Sequence, residues 1–410
     1  MVQNGGFMAL IVQKYGGSSL KTVENIQYVA QKIIDCKKKG NKVVVVVSAM
    51  GKTTDNLINM AKQIHNSPPN KEMDILLSTG EMVSVAMLCI AIENYGEEAE
   101  GFPGYCAGIM TDNSHTNARI ETIRPLKILE ELSKDKIVVV AGFQGISKEN
   151  AITTLGRGGS DLTAIAVSAA LKADLCEIYT DVEGIYTADP NLLPKAKLIP
   201  LLCYEELLEM ASAGAKVMFS RAVEFAQKYN VPFVVKSTFS KTGEGTMVKE
   251  ILLNEGVAVS AAALDEKQAK LTIYKVPDRP GISSKIFSAL GNANINVDII
   301  VQNVSKEKKS DISFTVNISD AEKANKIIED VSKEIGAERT ECDTDIAKLT
   351  IIGIGMMNHA GIAGRMFRAL ELADINIEMI STSETKISCV IKKDAGKKGL
   401  QAVHKEFIED

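Results

Sequence analysis

Two glycine-rich turns of the chain each carry a fixed positive charge. Residues 14–17 (KYGG) follow an apolar run, and residues 155–161 (LGRGGSD) precede another. Glycines let backbone N–H groups approach a phosphate, and a lysine adds positive charge. An arginine offers two parallel donors to a carboxylate. The turns therefore indicate a site for anionic ligands, although a glycine turn after a strand is by itself more often only a turn.

Three further segments place polar groups at expected turns or helix starts. They are residues 48–55 (SAMGKTTD), 77–81 (LSTGE) and 180–190 (TDVEGIYTADP). The GKT triplet does not complete a Walker phosphate loop, because position 46 is valine where that loop needs glycine. Helix capping explains the threonines of the first segment equally well. The second is expected to open an apolar helix, where the helix dipole favours Glu81 whatever its function.

Four of these five segments follow a predicted strand. Unbroken β-branched runs occur at 43–47 (VVVVV) and 137–141 (IVVVA), and similar runs occur at 9–13, 175–180 and 232–237. Strands that are buried on both faces look like this, since helices cover both sides of a parallel sheet. The first 250 or so residues therefore predict a layered α/β domain, and ligands bind at the strand ends of such sheets.

The rest of the chain contains an internal repeat. Residues 281–300 and 361–380 align without a gap at a spacing of 80, with nine of twenty positions identical. Each copy reads strand, turn, amphipathic helix and two strands. Two similar small α+β modules are therefore expected.

The composition excludes several classes of protein. The 410 residues, 45% of them hydrophobic, suffice for two or three domains, and a net charge of −5 gives no reason to expect nucleic acid or a membrane as partner. Seven scattered cysteines without a CxxC pair predict buried thiols in a reducing compartment. Four dispersed histidines indicate no metal site. No apolar run reaches about 18 residues, so a cytoplasmic protein is expected.

Taken in order, the motifs are similar to those of the amino-acid kinase superfamily, specifically the aspartate kinases. The matching strings are KYGGSS, VVSAMGKTTD, LLSTGE, AGFQG, TTLGRGGSD, TDVEGIYTADP and GAKV with RAVE. The repeats resemble ACT domains, small ferredoxin-like modules that commonly bind amino acids. The resemblance implies a three-layer αβα kinase domain with a mainly parallel sheet at 1–255, a linker at 256–267, and ferredoxin-like α+β ACT domains at 268–342 and 343–410.

The resemblance also implies a reaction, the ATP-dependent phosphorylation of the side-chain carboxylate of L-aspartate. Lys14 and Asp161 are the catalytic residues that it implies. The implied aspartate-binding residues are Ser48, Thr54, Glu81 and Arg157, and those implied for ATP are Lys14, Gly16, Gly17, Ser18, Thr180, Asp181, Tyr186 and Lys216. The attacking carboxylate is ionised near neutral pH, so no general base is required. Mg²⁺ is expected to bridge the ATP phosphates, without a cluster of protein ligands.

Tandem ACT domains imply feedback inhibition by lysine, threonine or both. The effector residues expected at the helix starts and following strands are Gly281, Ile282, Asn296, Val297, Asp298, Asn376 and Ile377. Asp298 is expected to accept the effector's ammonium, although asparagines at such turns also have a purely structural explanation. A homodimer or a dimer of dimers is expected, paired through the ACT domains.

Three departures from the family pattern concern the nucleotide. Asn191 and Lys236 stand where arginine is common, and Phe219-Ser220 replaces His-Pro. One alternative is an amino-acid kinase with a different acceptor, but Arg157 with Glu81 favours an acceptor that has both a carboxylate and an ammonium. The other is a catalytically silent amino-acid sensor, which the retained lysine and arginine of the two turns disfavour.

Overall fold

The computed structural model describes residues 8–215, 218–240, 243–251, 258–304 and 309–409. The chain divides into two compact units. The first unit comprises residues 1–185, 198–211 and 216–252, and the second comprises 186–197, 212–215 and 253–410.

Runs of valine and isoleucine build the sheets of the first unit. Its strands are β1 (Leu10–Tyr15), β2 (Lys42–Val47), β3 (Ala99–Phe102), β4 (Ile109–Thr111), β5 (Ile120–Ile123), β6 (Ile137–Ala141), β7 (Gln144–Ser147), β8 (Ile152–Thr154), β9 (Leu175–Thr180), β10 (Leu201–Leu202), β11 (Phe233–Ser237) and β12 (Gly245–Val248). Eight of them form one sheet in the order β10-β12-β11-β9-β1-β2-β6-β3, in which only the β11–β12 pair is antiparallel. A second sheet has the order β5-β4-β7-β8.

Helices cover both faces of the large sheet. They are α1 (Val23–Lys38), α2 (Thr53–Ile64), α3 (Asn70–Asn94), α4 (Leu126–Ser133), α5 (Gly159–Leu171), α6 (Tyr204–Ser212) and α7 (Ser220–Tyr229). Alternate valines of β2 pack with α1 and α3 in one buried cluster, whereas Lys14 of β1 points to the opposite face and contacts α5. The predicted α/β fold with a mainly parallel sheet is confirmed.

The helix α3 has the length and apolar composition to cross a membrane, as judged from the described residues. Half of its apolar stretch is buried inside the first unit. Its inner face also carries the buried acidic residues Asp74 and Glu81. The structure thus uses it as a core helix.

The second unit consists of two antiparallel sheets with helices. Its elements are β13 (Ala261–Asp265), β14 (Gln268–Pro277), α8 (Ile282–Asn292), β15 (Val297–Val304), β16 (Lys309–Asn317), α9 (Ala321–Ile335), β17 (Arg339–Asp343), β18 (Ile346–Ile352), α10 (Ile362–Leu372), β19 (Met379–Thr382), β20 (Lys386–Lys392) and α11 (Gly396–His404). The sheet orders are β15-β16-β14-β17 and β13-β18-β20-β19. The predicted pair of repeated α+β modules is confirmed.

The strand β13 lies within residues 256–267, the stretch expected to be a linker. It pairs antiparallel with β18, with Leu264 opposite Leu349. The second module therefore takes its fourth strand from a segment that precedes the first module. Alanine, which dominates this strand, has little β propensity, so the sequence pattern does not reveal it.

Candidate active site

The two predicted catalytic residues form a buried ion pair. Lys14 Nζ lies 2.6 Å from an oxygen of Asp161, and their side chains are 11% and 15% exposed. Lys14 is on β1, and Asp161 is the third residue of α5. The pair keeps a positive charge in place at the end of the parallel sheet, where a phosphoryl group can approach it.

The glycine turn that follows Lys14 packs closely on the end of β2. A Cβ atom on Gly17 would lie 2.7 Å from the carbonyl oxygen of Ala49, so only glycine fits without displacing the backbone. A Cβ atom on Gly16 would lie 3.6 Å from Lys14 Nζ. The hydroxyl of exposed Ser18 would lie 4.0 Å from the same Cβ atom, so the ammonium and this hydroxyl both lie close to Gly16.

Glu81 lies in the middle of α3, so the prediction that residues 77–81 open a helix is wrong. The helix begins at Asn70. The hydroxyls of Ser78 and Thr79 donate to the carbonyl oxygens three residues earlier, at 2.8 and 2.7 Å. Because these side chains are satisfied inside the helix, they do not interrupt it. The helix dipole therefore does not account for an acidic residue here.

Burial dominates the electrostatics of Glu81. Its side chain is 3% exposed, and one carboxylate oxygen accepts the N–H of Ala49 at 3.2 Å. The other oxygen has no hydrogen-bond partner among the residues that the structure describes. Burial raises the pKa of Glu81 to about 7, against the lowering effect of backbone N–H groups. A ligand cation would satisfy the free oxygen and favour the ionised carboxylate.

Arg157 projects from the turn between β8 and α5. Its side chain is exposed and makes no hydrogen bond or ion pair within the described part of the chain. Gly156 and Gly158 flank it with φ of +77° and +70°, values that favour glycine. The guanidinium is therefore available to a ligand carboxylate.

Other predicted ligand contacts stand at the ends of adjacent strands. Ser48 directly follows β2 and is half-buried, as is Thr54 in the first turn of α2. Thr180 ends β9, and its hydroxyl donates to Asp181 at 3.0 Å. Because β9, β1 and β2 are parallel neighbours, the strand-end residues line one edge of the sheet.

Two predicted ATP contacts are not brought to this edge by any described contact. Tyr186 is half-buried and belongs to the second unit. Lys216 lies outside the described residues.

The departures from the family pattern have local partners. Lys236 forms an ion pair with Glu177 at 2.6 Å, and its ammonium lies 5.1 Å from the ring centre of Tyr179. Asn191 donates to Asp189 at 3.0 Å within a turn. A Cβ atom on Gly158 would overlap the ring of Phe219, at 2.0 Å, so this phenylalanine packs on the arginine turn.

Two residues that brace the arginine turn, Arg221 and Asp74, were not among the predicted site residues. Arg221 donates to the carbonyl oxygens of Leu155 and Ala118, at 2.7 and 2.9 Å. Asp74 is fully buried and accepts the hydroxyl of Thr154 at 2.5 Å. Asp74 could have been recognised from the sequence, because it is an ionisable residue on the apolar face of a helix. Arg221 opens the RAVE string, but its hydrogen-bond partners lie more than 60 residues away, so the string alone does not show what the side chain holds.

The predicted effector residues lie where the repeat placed them. Gly281 precedes α8 with φ of +92°, and Ile282 is the first residue of that helix. Asn296 and Val297 stand at the start of β15, and Asn376 and Ile377 stand just before β19.

Asp298, the expected ammonium acceptor, is engaged by the other module. It forms an ion pair with Lys348 of β18. Glu378, its counterpart in the second repeat, pairs in the same way with Lys270 of β14. An effector's ammonium at Asp298 therefore has to compete with a lysine of the neighbouring module.

Comparisons with known proteins agree on the type of protein. The model of the amino acid kinase family matches residues 9–237, and ACT-domain models match residues 271–336 and 349–407. An aspartate kinase of Pseudomonas putida is 47% identical over 405 residues, covering 98% of each chain. An aspartokinase of Mycolicibacterium smegmatis is 46% identical over 406 residues, covering 98% of this chain and 96% of that one.

Solved structures show the same likeness. Aspartate kinase from Synechocystis is 42% identical with a TM-score of 0.56, covering 97% of this chain and 69% of its own. Aspartokinase III of E. coli, solved in complex with aspartate and ADP, has a TM-score of 0.81 at 24% identity, covering 98% of this chain and 100% of its own. The latter supports the fold alone.

Proposed function

Because the chain is an aspartate kinase of the amino acid kinase family with two ACT domains, we propose that it converts ATP and L-aspartate into ADP and 4-phospho-L-aspartate. A side-chain carboxylate oxygen of aspartate forms a bond to the γ-phosphorus. The bond from that phosphorus to the oxygen bridging it to the β-phosphate breaks, and ADP leaves with the electron pair. The buried Lys14–Asp161 pair beside a glycine turn is the observation that carries this proposal.

Lys14 supplies positive charge to the phosphoryl group in transfer. A loose transition state spreads negative charge over the phosphoryl oxygens, so positioning and charge do most of the work. Asp161 fixes the lysine in its place. The acceptor carboxylate is already ionised at neutral pH, so the site needs no general base.

Glu81 and Arg157 hold the two charged groups on the α-carbon of aspartate. Glu81 takes the ammonium, since it offers a buried oxygen without a hydrogen-bond partner among the described residues. Arg157 takes the α-carboxylate with its guanidinium, which has no hydrogen-bond or ion-pair partner among the described residues. Ser48, which follows β2, and Thr54, in the first turn of α2, are the further aspartate contacts. Because Glu81 and Arg157 together bind an ammonium and a carboxylate, they favour an amino acid over UMP or carbamate as the phosphoryl acceptor.

ATP is the phosphoryl donor, and its predicted contacts are the 16–18 turn, Thr180, Asp181, Tyr186 and Lys216. No group of three or more potential metal-ligating side chains occurs among the described residues. Mg²⁺ would be held mainly by the ATP phosphates and water, and the carboxylate beside the proposed phosphoryl position is Asp161, which pairs with Lys14. Bound there, it would neutralise phosphate charge.

The ACT domains provide the regulation that we propose. Lysine, threonine or both bind at the helix starts near Gly281 and before β19, and inhibit the first step of lysine, threonine and methionine biosynthesis. The ACT domains of two chains pair, which gives a homodimer or a dimer of dimers.

The test is a coupled assay of ADP release with aspartate and ATP, first without effector and then with lysine, threonine or both. Arg157→Ala is expected to raise KM for aspartate and to leave KM for ATP unchanged, with exposed Arg124→Ala as the matched control. ATP binding without turnover of aspartate would contradict the proposal and favour an amino-acid sensor.

A further inference from the structure

Three polar side chains follow one another on the buried face of α3. Asp74, Ser78 and Glu81 are spaced by four and three residues, which places them on one face of the helix. Asp74 is 0% exposed and Glu81 is 3% exposed. Over seven residues the helix rises by about 10 Å, which is the spacing of the two backbone positions along its axis. One rigid element therefore carries both.

Asp74 accepts hydrogen bonds from two other segments of the first unit. Its oxygens lie 2.6 Å from Nδ1 of His115, 3.0 Å from the N–H of Thr116 and 2.5 Å from the hydroxyl of Thr154. A carboxylate only accepts, so all three groups donate to it. A buried charge is costly without such donors, and the three together make Asp74 a fixed anchor.

Thr154 connects this anchor to the arginine turn. It is the last residue of β8, three positions before Arg157. The backbone of the same strand end is held on its other side, because Ala118 N–H donates to the carbonyl of Thr154 at 2.8 Å. Arg221 adds its bond to the carbonyl of Leu155 at 2.7 Å. The start of the turn is thus fixed from two sides, while the guanidinium of Arg157 has no partner in the part of the chain that the structure describes.

We propose that Asp74 is a positioning residue for the recognition of the acceptor amino acid. Through Thr154, Asp74 holds the turn of Arg157 at a constant distance from Glu81, because Asp74 and Glu81 belong to the same helix, α3. This inference rests on the proposed roles of Arg157 and Glu81. Glu81 and Arg157 bind groups on a single carbon atom of aspartate. A small shift of one side chain relative to the other therefore weakens the binding of aspartate.

The strand β8 supplies a matched pair of variants. Thr154→Val removes the donor to Asp74 and keeps the side-chain shape. Thr153 is equally buried, but its hydroxyl pairs with Thr111 at 2.6 Å instead, so Thr153→Val is the control. We expect Thr154→Val to raise KM for aspartate about tenfold. KM for ATP stays within about twofold, and Thr154→Ser restores the KM for aspartate.

A double-mutant cycle separates positioning from general damage to the fold. If Thr154 acts through Arg157, then Thr154→Val adds little to the KM for aspartate of Arg157→Ala. Additive effects, equal increases in both KM values, or the same result for Thr153→Val would overturn the inference. If Arg157→Ala alone leaves KM for aspartate unchanged, the proposed aspartate grip fails instead. Asp74→Asn, which keeps the shape but replaces one accepting oxygen by a donating NH₂ group, must give the same KM pattern should Thr154→Val fail to fold.

Discussion

Replacing Glu81 by glutamine removes a buried charge while it keeps the shape of the side chain. Burial raises the pKa of Glu81 from 4.5 to about 7. Each pKa unit corresponds to about 1.4 kcal/mol, so the ionised Glu81 costs the folded protein about 3 kcal/mol above pH 7. Glutamine carries no such cost.

The sign of the pH dependence follows from the direction of the pKa shift. Between pH 4.5 and about 7 the unfolded carboxyl group has lost its proton while the folded one keeps it. The contribution of Glu81 to the free energy of unfolding therefore falls as pH rises through this window, and then levels off. Relative to the unmodified protein, Glu81→Gln should gain about 3 kcal/mol between pH 4.5 and pH 8. Urea unfolding of both proteins at several pH values measures this gain, and any constant offset cancels.

Exposed Glu72 on the same helix provides the control, since Glu72→Gln should show no comparable pH-dependent gain. Parallel stability curves for Glu81→Gln and the unmodified protein would refute the raised pKa. The same titration should appear in kinetics. We expect kcat/KM for aspartate to fall below pH 7 as Glu81 takes up a proton, and the glutamine variant to lack this acidic limb.

Three further substitutions test other parts of the structure. Lys14→Ala should abolish turnover without unfolding the protein, and substantial activity in a folded variant would remove Lys14 from its role. Asp298→Ala, which also breaks the ion pair with Lys348, should raise the half-inhibitory concentration of lysine or threonine about tenfold or more; unchanged inhibition curves would contradict the effector assignment. Gly158→Ala puts a Cβ atom 2.0 Å from a phenylalanine ring at φ of +70°, so thermal unfolding should show a loss of about 2 kcal/mol, whereas Gly243→Ala, at φ +69° in open space, should cost less.

The parallel strands could be predicted closely from the sequence. The runs at 43–47 and 137–141 correspond to β2 and β6 within one residue. Strands buried on both faces leave a continuous apolar signature, and the turns that follow them are rich in glycine. The family resemblance, which is confirmed, implied that Asp161 positions Lys14, and the two side chains form an ion pair.

The features that could not be predicted from the sequence depend on partners that are distant in the chain. The N-terminus of α3 was placed too late because serine, threonine and glycine ordinarily signal a helix start. Here the hydroxyls of Ser78 and Thr79 donate to backbone carbonyl oxygens of the same helix. Asp74 accepts hydrogen bonds from residues about 40 and 80 positions away in the chain, and its proposed role depends on them. Periodicity and local motifs carry no information about such contacts.

The interleaved order of β13 has a consequence for synthesis of the chain. Leu264 is translated 85 positions before Leu349, its partner in β18. At about 5–20 residues per second, β13 spends roughly 4–17 s outside the ribosome without its own neighbour, while the first ACT module is completed. An unpaired strand can pair with the strands of other nascent chains. The three consecutive alanines of β13 have little apolar surface to bury, so its tendency to pair with another chain is weak until β18 has been synthesised.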